Sequence, residues 1–185
     1  MCVLTNQSVV LIPAQYNELR FTIAYVPTGH AEGRLYYDAE SKTLALQTDV
    51  TDVTLQIGQE QYLRARNNEG AQIDNGEVVY ISGSTGDIAQ VKLAKADAAA
   101  TAGVIGVATE DIANNADGYI TTFGIVRDID TSAFAAGTEV YLSPGVAGAI
   151  ANVKPVAPDI PVIVGTIIRQ HATQGQLFVN VVRSI

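Results

Sequence analysis

The stretch Gly76-Glu77-Val78-Val79-Tyr80-Ile81-Ser82-Gly83 recurs later in the chain as Gly137-Thr138-Glu139-Val140-Tyr141-Leu142-Ser143-Pro144-Gly145, and this recurrence decides the predicted fold. The two tyrosines lie 61 positions apart (141 − 80). Three further segments match in the same order: residues 104–108 with 163–167, 118–120 with 175–177, and 125–129 with 181–185. The spacing falls to 56 at the arginines of the last pair (183 − 127), as expected for deletions in loops. A repeat in fixed order predicts a duplicated β module.

The composition favours a folded, mostly β chain. Of the 185 residues, 48% are hydrophobic and 16% are charged, which argues against disorder. Tyr, Val, Ile and Thr fill the patterned segments, and Gly and Pro separate them. We therefore predict an all-β fold. It would consist of an N-terminal arm (1–32), a β-hairpin and oligomerisation segment (33–65), and two duplicated small β-barrel-like modules (66–129 and 130–185).

The first 65 residues predict separate strands. Two apolar runs, 8–12 and 19–26, are each followed by a proline and are typical of strands. Residues 34–46 place two short apolar segments around a polar turn, which predicts a hairpin. Residues 53–57 alternate apolar and polar side chains, so one face of that strand should be dry.

The hairpin and the strand after it predict a subunit interface. An isolated hairpin is only marginally stable in water, so its apolar face needs a partner. We expect the interface side chains to be Leu35, Tyr37, Leu44, Leu46, Val53, Leu55 and Ile57.

Only one segment has a helical composition. Residues 93–102 are rich in alanine but too short to be stable alone, so a helical turn or a loop is expected. The corresponding part of the second copy contains Pro155, Pro158 and Pro161, which exclude a regular helix.

The charge and the cysteine content limit the partners. A net charge of −8 disfavours nucleic acid and anionic membranes and favours a cationic or polar protein surface. Cys2 is the only cysteine, so neither an intrachain disulfide nor a cysteine metal cluster can form. The first residues lack a signal-peptide pattern, and no apolar run reaches about 18 residues. These features predict a soluble protein made in the cytoplasm.

The residues suited to catalysis lack partners at working spacing. The two histidines, His30 and His171, both lie in polar loop sequence. The triplet Asp130-Thr131-Ser132 resembles the active-site element of aspartic proteases, which need two carboxylates. The first copy has no such triplet near residues 67–70, although a homodimer could supply the second aspartate. A local turn is the simpler interpretation.

One acidic loop has a spacing close to that of a calcium site. The spacing of Asp128, Asp130, Ser132 and Glu139 fits an EF-hand calcium loop, but Ala133 occupies the position that requires glycine. We therefore predict no enzyme activity, no cofactor and no metal.

Several segments resemble a known family. Gly33-Arg34-Leu35-Tyr36-Tyr37-Asp38, with Lys42-Thr43-Leu44 and residues 53–60, resembles a segment shared by tailed-bacteriophage virion proteins, chiefly tail-fibre base regions and head-fibre or capsid decoration proteins. The duplicated part is similar to the same family. Its motifs are Asn-x-x-Gly at 67–70, Ile-x-Asn-Gly-x-Val-Val-Tyr at 73–80, Ile-Gly-Val-Ala-Thr-x-Asp-Ile at 105–112 and Gly-Thr-x-Val-Tyr-Leu-Ser at 137–143. The resemblance covers residues 33–185.

The resemblance implies assembly rather than catalysis. It implies a capsid cement or decoration protein that binds the major capsid protein on the outer surface of the head, as a symmetric oligomer for which a homotrimer is favoured. Such a protein is assembled in the host cytoplasm and resides in the virion. A tail-fibre, neck or other virion adaptor protein is the alternative, disfavoured because the chain stops at Ile185 on a closing strand. A carbohydrate-binding module is a weaker alternative, since the chain has no tryptophan.

Overall fold

The computed structural model describes residues 19–183, and within that range the chain is all β with no helix. The predicted fold class is confirmed. The apolar run 8–12 lies outside the described residues. The prediction of a strand at 19–26 is wrong: Leu19, Ile23 and Val26 are exposed, and the Tyr25 amide donates to the Thr22 carbonyl in a turn. A strand needs a neighbour for its backbone groups, and no strand within residues 19–183 pairs with this run.

The predicted hairpin forms the first two strands of a small antiparallel sheet. This three-stranded sheet contains β1 (Leu35–Asp38), β2 (Thr43–Gln47) and β3 (Thr54–Gln56), in that order. Leu35 pairs with Leu46, and Leu46 pairs in turn with Leu55. Lys42 adopts a positive φ of 57° at the end of the turn between β1 and β2. The strand predicted at 53–57 is shorter than expected, with only three residues in β3.

A second sheet contains the remaining nine strands, in the order β10-β9-β11-β12-β8-β4-β6-β5-β7. These strands are β4 (Gln61–Asn67), β5 (Val78–Thr85), β6 (Ile88–Leu93), β7 (Val104–Ala108), β8 (Asp117–Ile129), β9 (Glu139–Leu142), β10 (Ile150–Ala151), β11 (Val162–Arg169) and β12 (Gly175–Arg183).

The 13-residue strand β8 joins the two halves of this sheet. Its first half pairs with β4 along one edge and with β7 along the other, which closes β8, β4, β6, β5 and β7 into a ring. Its second half pairs with β12, from Phe123↔Asn180 to Ile129↔Gly175. Two separate barrel-like modules are therefore not confirmed, because only the first set of strands closes and the second continues from β8 as an open sheet.

Two apolar clusters fill the interior. One contains seven buried side chains of the closed ring and its loops, among them Ile73, Ile112 and Ile120. The other spans both copies of the repeat, since Val78 and Val126 of the first copy pack with Val140, Leu142 and other residues of the second. The domain boundary predicted at residue 129 stays a prediction. Side chains from both sides of that residue pack in the same core.

The strand pairings of the two copies correspond residue for residue. In the first copy Val79 pairs with Gly106 and Tyr80 pairs with Val104, across a bulge. In the second copy Val140 pairs with Gly165 and Tyr141 pairs with Ile163, again across a bulge. The inferred duplication also requires the two backbones to superimpose, and that stays a prediction; the common register supports it.

The alanine-rich segment forms turns rather than a helix. Ala94, Ala96 and Ala102 are fully buried, and the Ala96 amide donates to the carbonyl of Ser143 in the second copy. In the interior of a regular helix that amide would donate to the carbonyl four residues earlier and could not bond Ser143. The proline-containing segment 152–161 contains neither strand nor helix, as its composition predicts.

The equivalent glycines Gly106 and Gly165 provide a test of the pairing. A Cβ at Gly165 would lie 1.9 Å from the carbonyl oxygen of Phe178, and one at Gly106 would lie 2.3 Å from that of Thr121. We expect Gly165→Ala and Gly106→Ala each to lower the free energy of unfolding by at least about 2 kcal/mol, because backbone must move. Urea denaturation measures the loss.

Gly145→Ala is the matched control. Its Cβ would lie 3.9 Å from its nearest neighbour, the Ser143 hydroxyl. This variant should stay within about 0.5 kcal/mol of the wild type. Equal stability of all three variants would contradict the close strand pairing at both glycines.

Candidate oligomer interface

The predicted interface residues lie on one face of the three-stranded sheet. Because facing residues in a ladder point to the same side, Leu35, Leu46 and Leu55 form one row, and Tyr37 and Leu44 form the next. All five remain at least partly exposed. We call this surface the leucine face.

The last two predicted residues, Val53 and Ile57, flank β3 and differ in solvent exposure. Ile57 extends the second row, since its amide donates to the Leu44 carbonyl, and it is 41% exposed. Val53 is only 2% exposed and is already covered within the chain. Six of the seven predicted side chains are therefore available to a partner subunit, while Val53 contributes to the core of its own chain.

The opposite face of the same sheet is the buried one. Ala45, Gln47 and Gln56 are at most 9% exposed and face the chain's own interior. The alternation at 53–57 predicted a wet face at Gln56, and that prediction is wrong, because Gln56 is 8% exposed. The prediction that Ile57 is covered by a partner subunit stays a prediction. Gln56 can be buried because its amide nitrogen lies 3.3 Å from an Asp38 carboxylate oxygen and its backbone amide donates to Glu60.

An ion pair with a buried carboxylate fixes this polar face against the large sheet. Glu60 follows β3, and its side chain is 1% exposed. Its carboxylate accepts from Arg127 of β8 at 2.5 Å and from the Tyr62 hydroxyl at 2.9 Å. The close approach needs Gly124, because a Cβ there would lie 2.7 Å from the Glu60 Cγ. Gly124 also has a φ of +122°, which side chains rarely adopt.

A second anchor involves the turn between β2 and β3. The Tyr119 hydroxyl of β8 donates to Asp49 at 2.7 Å, and Arg64 of β4 lies 3.3 Å from the other carboxylate oxygen. The hydrogen bond from Tyr119 lowers the pKa of Asp49. Burial together with that hydrogen bond raises the pKa of Tyr119 to about 12. The two anchors attach the small sheet through polar contacts. Leu46 and Leu55 line a pocket beside the second anchor, while Leu35 and Ile57 stay exposed.

The residues considered for catalysis are not brought together. Asp130 accepts hydrogen bonds from the Ser132 amide and hydroxyl, at 2.9 and 2.7 Å, which is the local turn that the sequence favoured. Thr131 is buried and donates to the Arg169 carbonyl. His171 is exposed, and its Nδ1 accepts from the Thr173 and Gln174 amides. Both ring nitrogens of the half-buried His30 lack hydrogen-bond partners among the described residues.

The carboxylates considered for calcium point to different partners. Asp130 bonds Ser132, and Glu139 accepts from the Tyr141 hydroxyl. Within residues 19–183, no three His, Cys, Asp or Glu side chains are placed to hold a metal ion.

Sequence reasoning missed the anchors Glu60, Arg127, Asp49 and Tyr119. Glu60 and Arg127 are 67 positions apart, and Asp49 and Tyr119 are 70 positions apart. Nothing in the sequence links residues at such separations. The one signal at these positions is that Arg127 recurs as Arg183 in the repeat.

The comparisons with known proteins add no family. No protein-family model matches this chain. A search of curated proteins also returns no match. Among residues 19–183, no helix is long and apolar enough to span a membrane.

The Tyr119–Asp49 bond predicts a pH dependence. A lowered Asp49 pKa stabilises the fold above its ordinary value of 3.8, and this contribution is lost as the pH falls further. A raised Tyr119 pKa stabilises the fold below its ordinary value of 10.0, and this contribution is lost as the pH rises toward 12. We expect Tyr119→Phe to be less stable than the wild type between these limits, with a difference that shrinks at both ends.

Thermal melts of both proteins across this pH range measure the difference. Tyr141→Phe, which removes an exposed hydrogen bond to Glu139 within one strand, is the control. A stability difference that does not change with pH would contradict the assigned role of Asp49.

The Glu60–Arg127 pair predicts a larger, coupled effect. We expect Arg127→Met to lower the free energy of unfolding by about 3 kcal/mol, because it leaves the buried Glu60 carboxylate without its charge partner. Adding Glu60→Gln should recover part of the loss, since the remaining buried group is then neutral. Urea denaturation of both variants measures this coupling.

Lys95→Met breaks the more exposed pair with Asp97 and should cost under about 1 kcal/mol. If Arg127→Met costs no more than Lys95→Met, the ion pair does not fix the small sheet.

Proposed function

We propose that this protein is a structural subunit of a tailed-bacteriophage virion, a cement or decoration protein that binds the outer surface of the head lattice as a symmetric oligomer. The observation that carries the proposal is the leucine face, an apolar sheet surface left partly exposed on a chain that buries its polar face instead. The resemblance of residues 33–185 to tailed-bacteriophage virion proteins supports the proposal, because those proteins are parts of a virion.

Burial of the leucine face supplies the free energy for association. Covering one large apolar side chain completely contributes about 1.5 to 3 kcal/mol. The six available side chains begin partly buried, so each contributes less than this. Scattered exposed apolar residues are normal on a monomer, whereas a contiguous sheet face of this kind marks an interaction surface.

A trimer is the assembly that this sheet favours. Within residues 19–183, β1 pairs with a strand on one side only, so its outer edge is open to another chain. The outer edge of β3 is already bonded within the chain, since the Gln56 backbone amide donates to Glu60 and the Thr54 carbonyl accepts from the Tyr62 hydroxyl. Three copies around a three-fold axis bring three leucine faces together and cover the edge of β1 with a neighbouring chain. The resemblance to fibre-base and decoration proteins supplies much of the preference for three over two.

The charge of the chain supports a protein partner on the capsid. At −8, its surface repels nucleic acid and anionic lipid and attracts a basic or polar protein surface. The partner in this proposal is the major capsid protein.

Leu55→Asp tests the interface. Leu55 lies on the leucine face beside Leu46, where a carboxylate would be transferred out of water on assembly. We expect this variant to be a folded monomer under conditions in which the wild type is an oligomer, as measured by light scattering, and to lose attachment to phage heads.

Val153→Asp is the matched control. Val153 is 72% exposed and lies in the loop 152–161, away from the leucine face, so the same charge there should leave the oligomer mass unchanged. An unchanged oligomer for Leu55→Asp would remove the leucine face from the interface. A density map of the intact virion tests the location separately: density for this protein at the tail, with none on the head, would replace the decoration role with the fibre or neck role.

A further inference from the structure

The loop before β5 contains Asn75-Gly76, the one asparagine–glycine pair in the sequence. An asparagine loses its side-chain amide when the backbone nitrogen of the next residue attacks the side-chain carbonyl carbon. Glycine hinders this attack least of all following residues, because it has no Cβ and restricts the backbone least. Asn75 is therefore the asparagine of this chain that is most reactive when the chain is unfolded.

The folded chain holds this pair in a tight turn. Asn75 and Gly76 are its two central residues, and the Glu77 amide closes it by donating to the Asp74 carbonyl at 3.1 Å. Gly76 has a φ of +93°, and a Cβ there would lie 2.7 Å from Ile129, so the turn needs glycine at this position. The glycine that fits the closed turn is thus also the residue that makes Asn75 reactive when the turn opens.

Hydrogen bonds occupy both nitrogen atoms that the reaction uses. The Gly76 amide, whose nitrogen would be the nucleophile, donates to the Ala108 carbonyl of β7 at 2.9 Å. The Asn75 side-chain nitrogen, which would leave as ammonia, donates to the Arg127 carbonyl of β8 at 2.9 Å. The Asn75 backbone amide donates to Asp111, in the connection between those strands, at 2.8 Å. The turn is thereby fixed to three other segments of the chain.

The side-chain oxygen of Asn75 is closed to solvent and has no hydrogen-bond partner within residues 19–183. Attack by the Gly76 nitrogen would place negative charge on this oxygen in the tetrahedral intermediate. Such a charge needs hydrogen-bond donors or water, and its formation in a closed, unpartnered position is costly. The closed turn therefore opposes the reaction at the nucleophile, at the leaving group and at the developing charge.

We propose that Asn75 is a deamidation site of the opened chain, which the native fold protects. When the turn leaves β7 and β8, the Gly76 nitrogen gives up its proton to solvent and forms a bond to the Asn75 Cγ. The bond from Cγ to Nδ2 breaks, and Nδ2 takes up a proton from solvent and leaves as ammonia. Water then opens the cyclic imide at either of its two carbonyl carbons, which leaves aspartate or isoaspartate at this position. The net reaction consumes water and releases ammonia.

The product cannot restore the native contacts of the turn. A carboxylate at position 75 has no hydrogen to donate to the Arg127 carbonyl, and it adds negative charge beside Asp111. Isoaspartate also lengthens the backbone of the turn by a methylene group. Deamidation thus makes an opening of this turn irreversible and marks the chains that have opened.

Peptide mass spectrometry of the full chain tests the proposal. The chain is incubated folded, and separately in guanidinium chloride above its unfolding midpoint, at the same mildly alkaline pH. We expect deamidation at Asn75 to be at least about tenfold faster in the unfolded chain, because the folded chain reacts only through rare openings. Asn68, which is followed by Glu69, gives the background rate in the same digests.

Equal rates at Asn75 in the folded and unfolded chain would overturn the proposal. A rate at Asn75 no higher than that at Asn68 in the unfolded chain would overturn it as well. Both comparisons use the wild type, so they do not depend on whether any variant folds. They concern a single chain and do not depend on the virion role.

Asp111→Ala tests the contacts that keep the turn closed. It removes the acceptor of the Asn75 backbone amide, so we expect faster deamidation at Asn75 in the folded chain. Asp87→Ala is the matched control, because it removes a carboxylate from the exposed turn between β5 and β6 and should leave the rate unchanged. Equal rates in both folded variants would exclude the Asp111 contact from the protection.

Asn75→Asp tests the product. We expect this variant to have a lower urea midpoint than the wild type, because it replaces the donor to the Arg127 carbonyl by an acceptor. Asn114→Asp is the matched control, since the Asn114 side-chain oxygen accepts from the Gly70 amide at 3.1 Å and aspartate keeps that acceptor. A wild-type midpoint for both variants would overturn the inference that deamidation prevents the turn from closing again.

Discussion

The backbone pairing of β8 is the constraint on which the rest of the structure depends. One continuous strand is hydrogen-bonded to β4 and β7 over its first half and to β12 over its second half. Since the side chains of a strand alternate faces, a slip of one residue would turn Val126 and Ile120 out of their cores at the same time. The outward side chains Tyr119 and Arg127 would turn inward and lose Asp49 and Glu60. The register of one strand thus sets both cores and both anchors.

The small sheet shows how polar anchoring determines which surface is left for association. Hydrophobic burial alone would place the leucine face against the large sheet. Instead, Glu60 and Asp49 hold the polar face inward, where Gln56 and Gln47 have hydrogen-bonding partners. Desolvating a charge pair costs free energy that its mutual attraction only partly offsets, so the pair is weak evidence of stabilisation. Its effect is orientation: Gln56 and Gln47 are held inward, Leu35 and Ile57 stay exposed, and Leu46 and Leu55 lie in a cleft beside Tyr62, Arg64 and Tyr119.

The sequence was sufficient to predict what depends on local pattern and on repetition. The all-β class, the hairpin at 34–46 and the order of the repeated segments follow from apolar spacing, turn residues and self-similarity. The closure of the first copy through β8, and its continuation into the second copy, depend on which edge strand finds which neighbour, and no local pattern encodes that. The strand predicted at 19–26 failed for the same reason, since an apolar run becomes a strand only where a pairing partner exists.

The orientation of β3 could not be read from alternation, because alternation distinguishes two faces without saying which one faces a partner chain. Leu55 and Ile57 lie on the leucine face, and Gln56 is buried on the opposite face. That polar face can be buried because groups on it are bonded within the chain: the Gln56 backbone amide donates to Glu60, and the Gln47 side-chain oxygen accepts from the Ala31 amide. Alternation has the same period whichever face is buried, so the choice of face depends on these distant partners, which no local pattern encodes.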